Sequence, residues 1–273
     1  MLKLLYFFLS VTVALLSGCG SSEDQSVSVT PTEAIFSTIT LDDNNLKLLI
    51  PMYVYPTSDS QDWKDLLDFK SANPRSDVTI IVNPSNGDFN TSDSNYIQAI
   101  TDAKAKGIHL IGYVYTGYGD RNISKVETNI DAWRDLYATY GISGIFFDEA
   151  SNKAADLDYY RTISQYARDD GFSFIVLNAG ITTDVSYMDS NISDVIVDFE
   201  SDYTDFIKEN LQWNTPTQDT ALCSMVYGVD SNLFLDVIER LKENQQEYIY
   251  ITSNKLAYVW SSLSEYVVKS STQ

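Results

Sequence analysis

A closed (β/α)8 barrel forming one α/β domain is the fold this chain predicts. Eight short apolar runs alternate with longer amphipathic stretches, the pattern of a parallel sheet covered by helices. The alternating part covers about 225 residues, close to the ~250 usual for such a barrel. No glycine-rich phosphate fingerprint follows any run, which argues against the open doubly wound sheet.

The elements follow in order. The first strand is read at Leu46–Val54. A helix over Asp62–Ala72 then sets Trp63, Leu66, Leu67, Phe69 and Lys70 on a 3.6-residue period. Strand Val78–Val82 precedes a helix over Tyr96–Lys106 that stops at Gly107, and strand His109–Tyr115 precedes one over Lys125–Tyr140 that stops at Gly141. Strand Gly144–Phe147 leads to helix Leu157–Asp170, ended by Gly171. Strands Phe174–Leu177 and Val195–Phe199 come next, followed by a short helix at Tyr203–Asn210. Strand Ala221–Val226, a helix over Ser231–Asn244 with Ser231 as N-cap, strand Tyr248–Thr252 and a closing helix at Leu263–Val268 complete the set. Each strand is short and apolar enough to be buried on both faces.

The barrel is expected over residues 46–273, after two segments of another kind. Lys3 followed by the apolar run Leu4–Leu16 reads as an export signal over residues 1–18. It ends in Leu16-Ser17-Gly18-Cys19, which resembles a bacterial lipobox and marks Cys19 for lipidation. Residues 19–45 read as a flexible polar tether. Gly20, where an aspartate would retain the protein at the inner membrane, implies a lipid-anchored envelope protein directed to the outer membrane. The anchor would be its one link to a membrane.

Composition narrows the chemistry. Eighteen Lys and Arg against 38 Asp and Glu give a formal net charge of -20, which repels phosphate backbones and argues against nucleic acid as a partner. Two cysteines and one histidine supply neither a disulfide framework nor a Cys/His zinc site, and a Ser-His-Asp triad only through His109. Cys223, in an apolar run, reads as a buried structural thiol. No metal or organic cofactor is called for. The 19 Tyr, 12 Phe and 4 Trp point instead to carboxylate chemistry among aromatics, the chemistry of sugars.

In a barrel of this kind the active site lies at the C-terminal strand ends. The residues leaving the runs there are Tyr53 and Tyr55, Asn83, Tyr113 and Tyr115, Asp148 and Glu149, Asn178, Asp198 and Glu200, Tyr227, and Ser253-Asn254. Carboxylates gather on the fourth and sixth strands, and opposed carboxylates are what glycoside hydrolysis requires. Strict period-2 alternation would point Asp198 and Glu200 the same way. A Schiff-base aldolase needs a strand lysine facing the mouth, and Lys47 lies at the opposite end. An enolase-like site would have to rely on Lys255 and Mg²⁺.

Four ordered motifs make the chain familiar: Ile50-Pro51-Met52-Tyr53-Val54-Tyr55-Pro56, Ile81-Val82-Asn83-Pro84-Ser85-Asn86-Gly87, Ile111-Gly112-Tyr113-Val114-Tyr115-Thr116 and Gly144-Ile145-Phe146-Phe147-Asp148-Glu149. With these it resembles the spherulation-specific family 4 (spherulin-4-like) proteins, whose members include endo-α-1,4-N-acetylgalactosaminidase glycoside hydrolases. The resemblance implies a barrel whose catalytic acids are Asp148, Glu149 and Glu200. It also implies an amino-sugar polysaccharide substrate of the α-1,4-linked galactosamine or N-acetylgalactosamine type. Tyr53, Tyr55, Asn83, Tyr113, Tyr115, Asn178, Asp198 and Tyr227 are the candidate substrate contacts. One departure stands out: Asp88-Phe89 follow Gly87 where the family usually has Pro-Gly, in a loop expected to border the cleft. That change leaves room for the alternative of a polysaccharide-binding lipoprotein without turnover.

Overall fold

The computed structural model describes residues 46–188 and 192–269, so the expected export signal, Cys19 and the tether lie outside the described residues. Eight parallel strands close into a barrel in sequence order, with β1 pairing to both β2 and β8. They are β1 (Lys47–Met52), β2 (Val78–Val82), β3 (His109–Tyr115), β4 (Ile142–Asp148), β5 (Phe174–Asn178), β6 (Val195–Asp202), β7 (Ala221–Tyr227) and β8 (Tyr248–Ile251). The helices are α1 (Gln61–Ala72), α2 (Ser94–Ala105), α3 (Ile123–Leu136), α4 (Leu157–Asp169), α5 (Tyr203–Phe206), α6 (Phe234–Glu243) and α7 (Glu265–Lys269). The described part of the β5–β6 connection holds only a 3₁₀ turn, Val185–Met188.

The strands fall where the apolar runs lie, and the differences are at the ends. β1 stops at Met52, two residues short of Val54, while β6 runs three residues past Phe199. Helix α3 starts two residues early, because the Asn122 side chain accepts the Ser124 N–H, and releases Tyr137 to pack separately. The stretch expected to be helical to Asn210 keeps only the four residues of α5, capped by Asp202 through the Asp205 N–H. Ser231 does not cap α6; it opens a 3₁₀ turn, Ser231–Leu233, that leads into the helix.

Two glycines let layers approach that a side chain would hold apart. A methyl group on Gly112 would sit 2.4 Å from the Trp133 ring, so β3 and α3 meet there through a bare backbone. Trp133 is fully buried and donates its Nε1–H to the Tyr113 carbonyl at 3.0 Å. Truncating a buried tryptophan to alanine costs about 3–5 kcal/mol. Gly87, at φ 76°, lies with its Cβ position 2.3 Å from the Tyr113 carbonyl oxygen, which seats the β2–α2 loop on the end of β3. Phe89 in that loop turns away from the barrel mouth, its ring 4.8 Å from that of Trp133 and 5.4 Å from that of Tyr137. The departure at Asp88-Phe89 is thus partly a packing feature of the outer layer, not of the cleft floor. Cys223 is a buried free thiol inside β7, and burial pushes its pKa well up.

Candidate active site

Asn178 holds the site together. It leaves β5 at the C-terminal mouth, and its amide nitrogen donates to Asp148 Oδ1 at 2.7 Å and to Glu200 Oε2 at 2.6 Å. The fourth, fifth and sixth strands thus meet through one neutral side chain that bridges two carboxylates. The other oxygen of each acid is held as well. Tyr113 from β3 donates its hydroxyl to Asp148 Oδ2 at 2.7 Å, and Trp260 donates its Nε1–H to Glu200 Oε1 at 3.2 Å. Every partner is an uncharged donor; among the described residues no cation pairs with either acid.

That arrangement acts on the protons. Burial raises the Glu200 pKa, with the nearby charge of Asp148 adding to it, while the hydrogen bonds from Asn178 and Trp260 pull it partly back. Tyr53 lies in the same field: burial and the charges of Asp148 and Glu200 push its pKa well up, and its ring meets that of Tyr113 edge-on at 5.8 Å. Tyr113 is raised for the same reasons. Both tyrosines therefore stay protonated, and with its hydroxyl hydrogen given to Asp148, Tyr113 keeps only its acceptor lone pairs and its ring for whatever enters.

Glu149 is set differently. Its backbone takes φ 51°, a conformation costing a non-glycine residue about 1–3 kcal/mol. Two hydrogen bonds to its carbonyl offset this, from the Tyr118 N–H at 2.6 Å and from the Thr116 hydroxyl at 2.8 Å. The turn leaves the Glu149 side chain exposed at the edge of a cleft of ≈ 320 Å³ that also contains Asp148, Asn178, Glu200, Tyr118 and Ile181.

The remaining candidates divide. Tyr227 reaches the site indirectly, its ring edge-on to Trp260 at 6.1 Å. Asn83 lies in the β2–α2 loop with a buried Oδ1 that has no partner, leaving one acceptor open. Tyr55 is drawn outward, its hydroxyl bonding Asp93 at 2.8 Å. The Tyr115 ring is covered by the Arg121 guanidinium at 3.8 Å. Neither is joined to the acids.

Asp198 does not point with Glu200 as strict alternation implied. Val197 pairs with Cys223 and Glu200 with Met225, so the register shifts by one residue and Asp198 is the extra one. It is buried in the wall behind the cleft, where Oδ2 accepts the Asn214 N–H at 3.1 Å and burial raises its pKa to about 7. The bulge is what turns Glu200 to the side where Asn178 can reach it.

Sequence reading missed two residues of the site, one that lines the cleft and one that holds Glu200. Trp260 sits in the long β8–α7 connection, far from any strand end, and no strand-end rule could reach it. Tyr118, 63% exposed at φ 57° between Gly117 and Gly119, carried a signal in its flanking glycines. Among the described residues no group of three or more His, Cys, Asp or Glu is placed to hold a metal ion.

Comparison with known proteins places this arrangement. The chain is 33% identical to Spherulin-4 of Physarum polycephalum over 157 residues, 57% of this chain and 45% of that protein, so the matched stretch spans under half the relative's length. The barrel superimposes on Aspergillus clavatus Sph3, whose crystal structure holds GalNAc, with a TM-score of 0.71 and 25% identity, covering 83% of this chain and 96% of that one. Mortierella vinacea α-galactosidase I shares the fold alone, with a TM-score of 0.51 and 10% identity over 82% of this chain and 69% of its own. Residues 47–271 match the family model for spherulation-specific family 4, and the chain belongs to that family.

Proposed function

We propose that this protein is a glycoside hydrolase acting on an amino-sugar polysaccharide of the α-1,4-linked galactosamine or N-acetylgalactosamine type. The observation that carries the reading is the Asn178 bridge. One nitrogen bonded to both Asp148 and Glu200 limits those two oxygens to about twice a hydrogen-bond length apart. That favours the ~5–5.5 Å pair of a retaining enzyme over the ~6.5–9.5 Å pair of an inverting one.

The roles follow from the surroundings of each acid. Glu200, with its raised pKa, gives its proton to the glycosidic oxygen as the bond to the anomeric carbon breaks. Asp148, oriented by Tyr113 and Asn178, attacks that carbon and forms a glycosyl ester. Glu200, now ionised, takes a proton from water; the hydroxide oxygen bonds the anomeric carbon and Asp148 leaves as carboxylate, restoring both acids. Glu149, exposed beside them, contacts the sugar at the open edge. Among its relatives, Sph3 with its bound GalNAc supports the choice of sugar. The placement of Phe89 in the outer layer removes one reason for reading the protein as a binder without turnover.

A panel of hexosamine polymers differing in acetylation, incubated with the protein and with Glu200→Gln, tests the reading. Shorter products from at least one polymer with the parent, and none with the variant, are expected; an intact panel with the parent refutes it. We also propose that Cys19 carries the lipid anchor, on the strength of the sequence pattern. Palmitate labelling and membrane fractionation unchanged in Cys19→Ser would refute that part alone.

A further inference from the structure

Behind the cleft, where the end of β4 meets helix α4, two fully buried hydroxyls come together that take no part in the reaction. They belong to Thr116, just past β3, and to Tyr160, in the first turn of α4, and their oxygens are 2.9 Å apart. The Tyr160 oxygen accepts the Ser151 N–H at 2.7 Å. The Thr116 oxygen lies 2.8 Å from the Glu149 carbonyl oxygen and 3.0 Å from that of Asp148. Each hydroxyl has a single hydrogen to give. Were Thr116 to give its hydrogen to Tyr160, the Tyr160 hydrogen would be buried without an acceptor, since the Tyr160 hydroxyl has no further partner among the described residues. The direction is therefore fixed: Tyr160 donates to Thr116, and Thr116 donates to the β4 carbonyls, most closely to that of Glu149.

This pair of hydroxyls ends on a residue whose own backbone resists its place. Glu149 stands at φ 51°, and Tyr118, the other donor to its carbonyl, is itself left-handed at φ 57°. A non-glycine residue left to itself returns to the right-handed or extended regions. What such a return would move is decided by the neighbours. Asp148 comes immediately before the turn, and Ala150, immediately after it, donates its N–H to the Asn178 carbonyl at 2.7 Å. A change at Glu149 would thus pull on the Asp148 carboxylate from one side and on the backbone of its bridge to Glu200 from the other. Tyr160 is braced to prevent this. Its ring centroid lies 5.1 Å from that of Tyr159 and 5.8 Å from that of Tyr187, and burial raises its pKa, so the hydrogen it donates stays in place.

From these observations we infer that Tyr160 is a positioning residue of the active site: acting through Thr116, it holds Glu149 in its left-handed turn and thereby fixes the directions of Asp148 and Asn178. The inference rests on the glycosidase reading above and adds how the acids are kept in place from outside the cleft. Tyr160 lines no part of that cleft, so its loss falls on turnover and leaves substrate binding alone.

Three variants provide the test. Tyr160→Phe keeps the packed ring and deletes its hydroxyl, Thr116→Val keeps the shape and deletes the link to Glu149, and Thr116→Ser keeps the link. Each is assayed on a hexosamine polymer that the parent cleaves, well below its own melting temperature, with kcat and KM read separately. Tyr160→Phe and Thr116→Val should each lower kcat by roughly 10²-fold at a KM near the parent's, the loss expected when reacting groups are misplaced by about 1 Å. Thr116→Ser should turn over like the parent. A crystal structure of Tyr160→Phe should show Glu149 out of the left-handed region, or Asn178 parted from one of the two acids. Parent kcat in both Tyr160→Phe and Thr116→Val, whatever their melting temperatures, would make the hydroxyl pair a structural support alone and overturn the positioning role. Thr116→Ser as slow as Thr116→Val, or an unmoved turn and bridge in the crystal structure, would overturn it too, and all three results leave the glycosidase standing. If the parent cleaves no polymer, the glycosidase reading itself fails and the positioning role falls with it.

Discussion

The two mouths of the barrel are built from similar residues and treat charge in opposite ways. At the N-terminal mouth Lys47 pairs with Glu247 at 2.7 Å and with Asp77 at 3.9 Å, and the lone histidine, His109, is exposed with its Nε2 4.0 Å from Asp77. Charges there are matched and wet. At the C-terminal mouth Asp148 and Glu200 face one another through Asn178, and their other partners are the neutral donors Tyr113 and Trp260. A matched pair lowers the energy of the resting protein by little. An unmatched pair costs something at rest and favours the protonated form of Glu200. Sequence counts of acids cannot tell these ends apart; the partners do.

Replacing the unmatched acids should produce the largest effect. Asp148→Asn and Glu200→Gln are each expected to lower kcat on a cleavable polymer by about 10²–10⁴-fold. Azide should restore turnover of an activated aryl glycoside to the nucleophile variant Asp148→Asn and leave the first step of Glu200→Gln unaffected. Near-parent activity in both variants would remove the contrast between the mouths.

A smaller change should come from altering a neutral donor. Trp260→Phe deletes a hydrogen bond that favours ionised Glu200, so the Glu200 pKa should rise further. Because Glu200 must be protonated to act as acid, the alkaline limb of the kcat/KM profile should move to higher pH. A limb that moves the other way would assign that limb to another group.

Stability supplies a third comparison. A carboxyl whose pKa is raised by folding favours the folded state at low pH and loses that advantage as pH rises through its folded-state pKa. Glu200→Gln should therefore melt higher than the parent at pH 8, by about 2–4 °C for each kcal/mol recovered. The gap should close as pH falls to about 4, near the ordinary glutamate value. Equal melting temperatures at pH 8 would mean that the unmatched charge costs nothing at rest. The smallest effect is expected at the other mouth, where Lys47→Ala should change stability by only about 0–1 kcal/mol and leave turnover as it is. A larger loss, read from denaturant unfolding, would show the N-terminal ion pairs to be structural supports.

The fold was legible because buried parallel strands write themselves as uninterrupted apolar runs; Val78–Val82 and His109–Tyr115 fall at their expected bounds. The strand-end rule also named Asp148, Asn178 and Glu200, which the barrel brings to one bridge. It failed where pairing and not composition decides. Asp198 and Glu200 are separated by a register shift, and nothing in the run Val195–Phe199 announces it. Tyr55 and Tyr115 leave their strands like Tyr53 and Tyr113, yet Asp93 and Arg121 draw them elsewhere. Trp260 reaches Glu200 from 60 residues away along the chain, a distance at which only the closed barrel, not local pattern, brings groups together.

Val197 and Glu200 are three residues apart yet occupy the same face, opposite Cys223 and Met225, because Asp198 is supernumerary in the ladder. A deletion of that one codon would return the strand to plain alternation with Glu200 still on the lumen side. An inserted codon between Phe199 and Glu200 would swing the acid to the outer face with every chemical group of the site still encoded. The length of this strand therefore decides which way Glu200 faces, independently of which chemical groups are encoded.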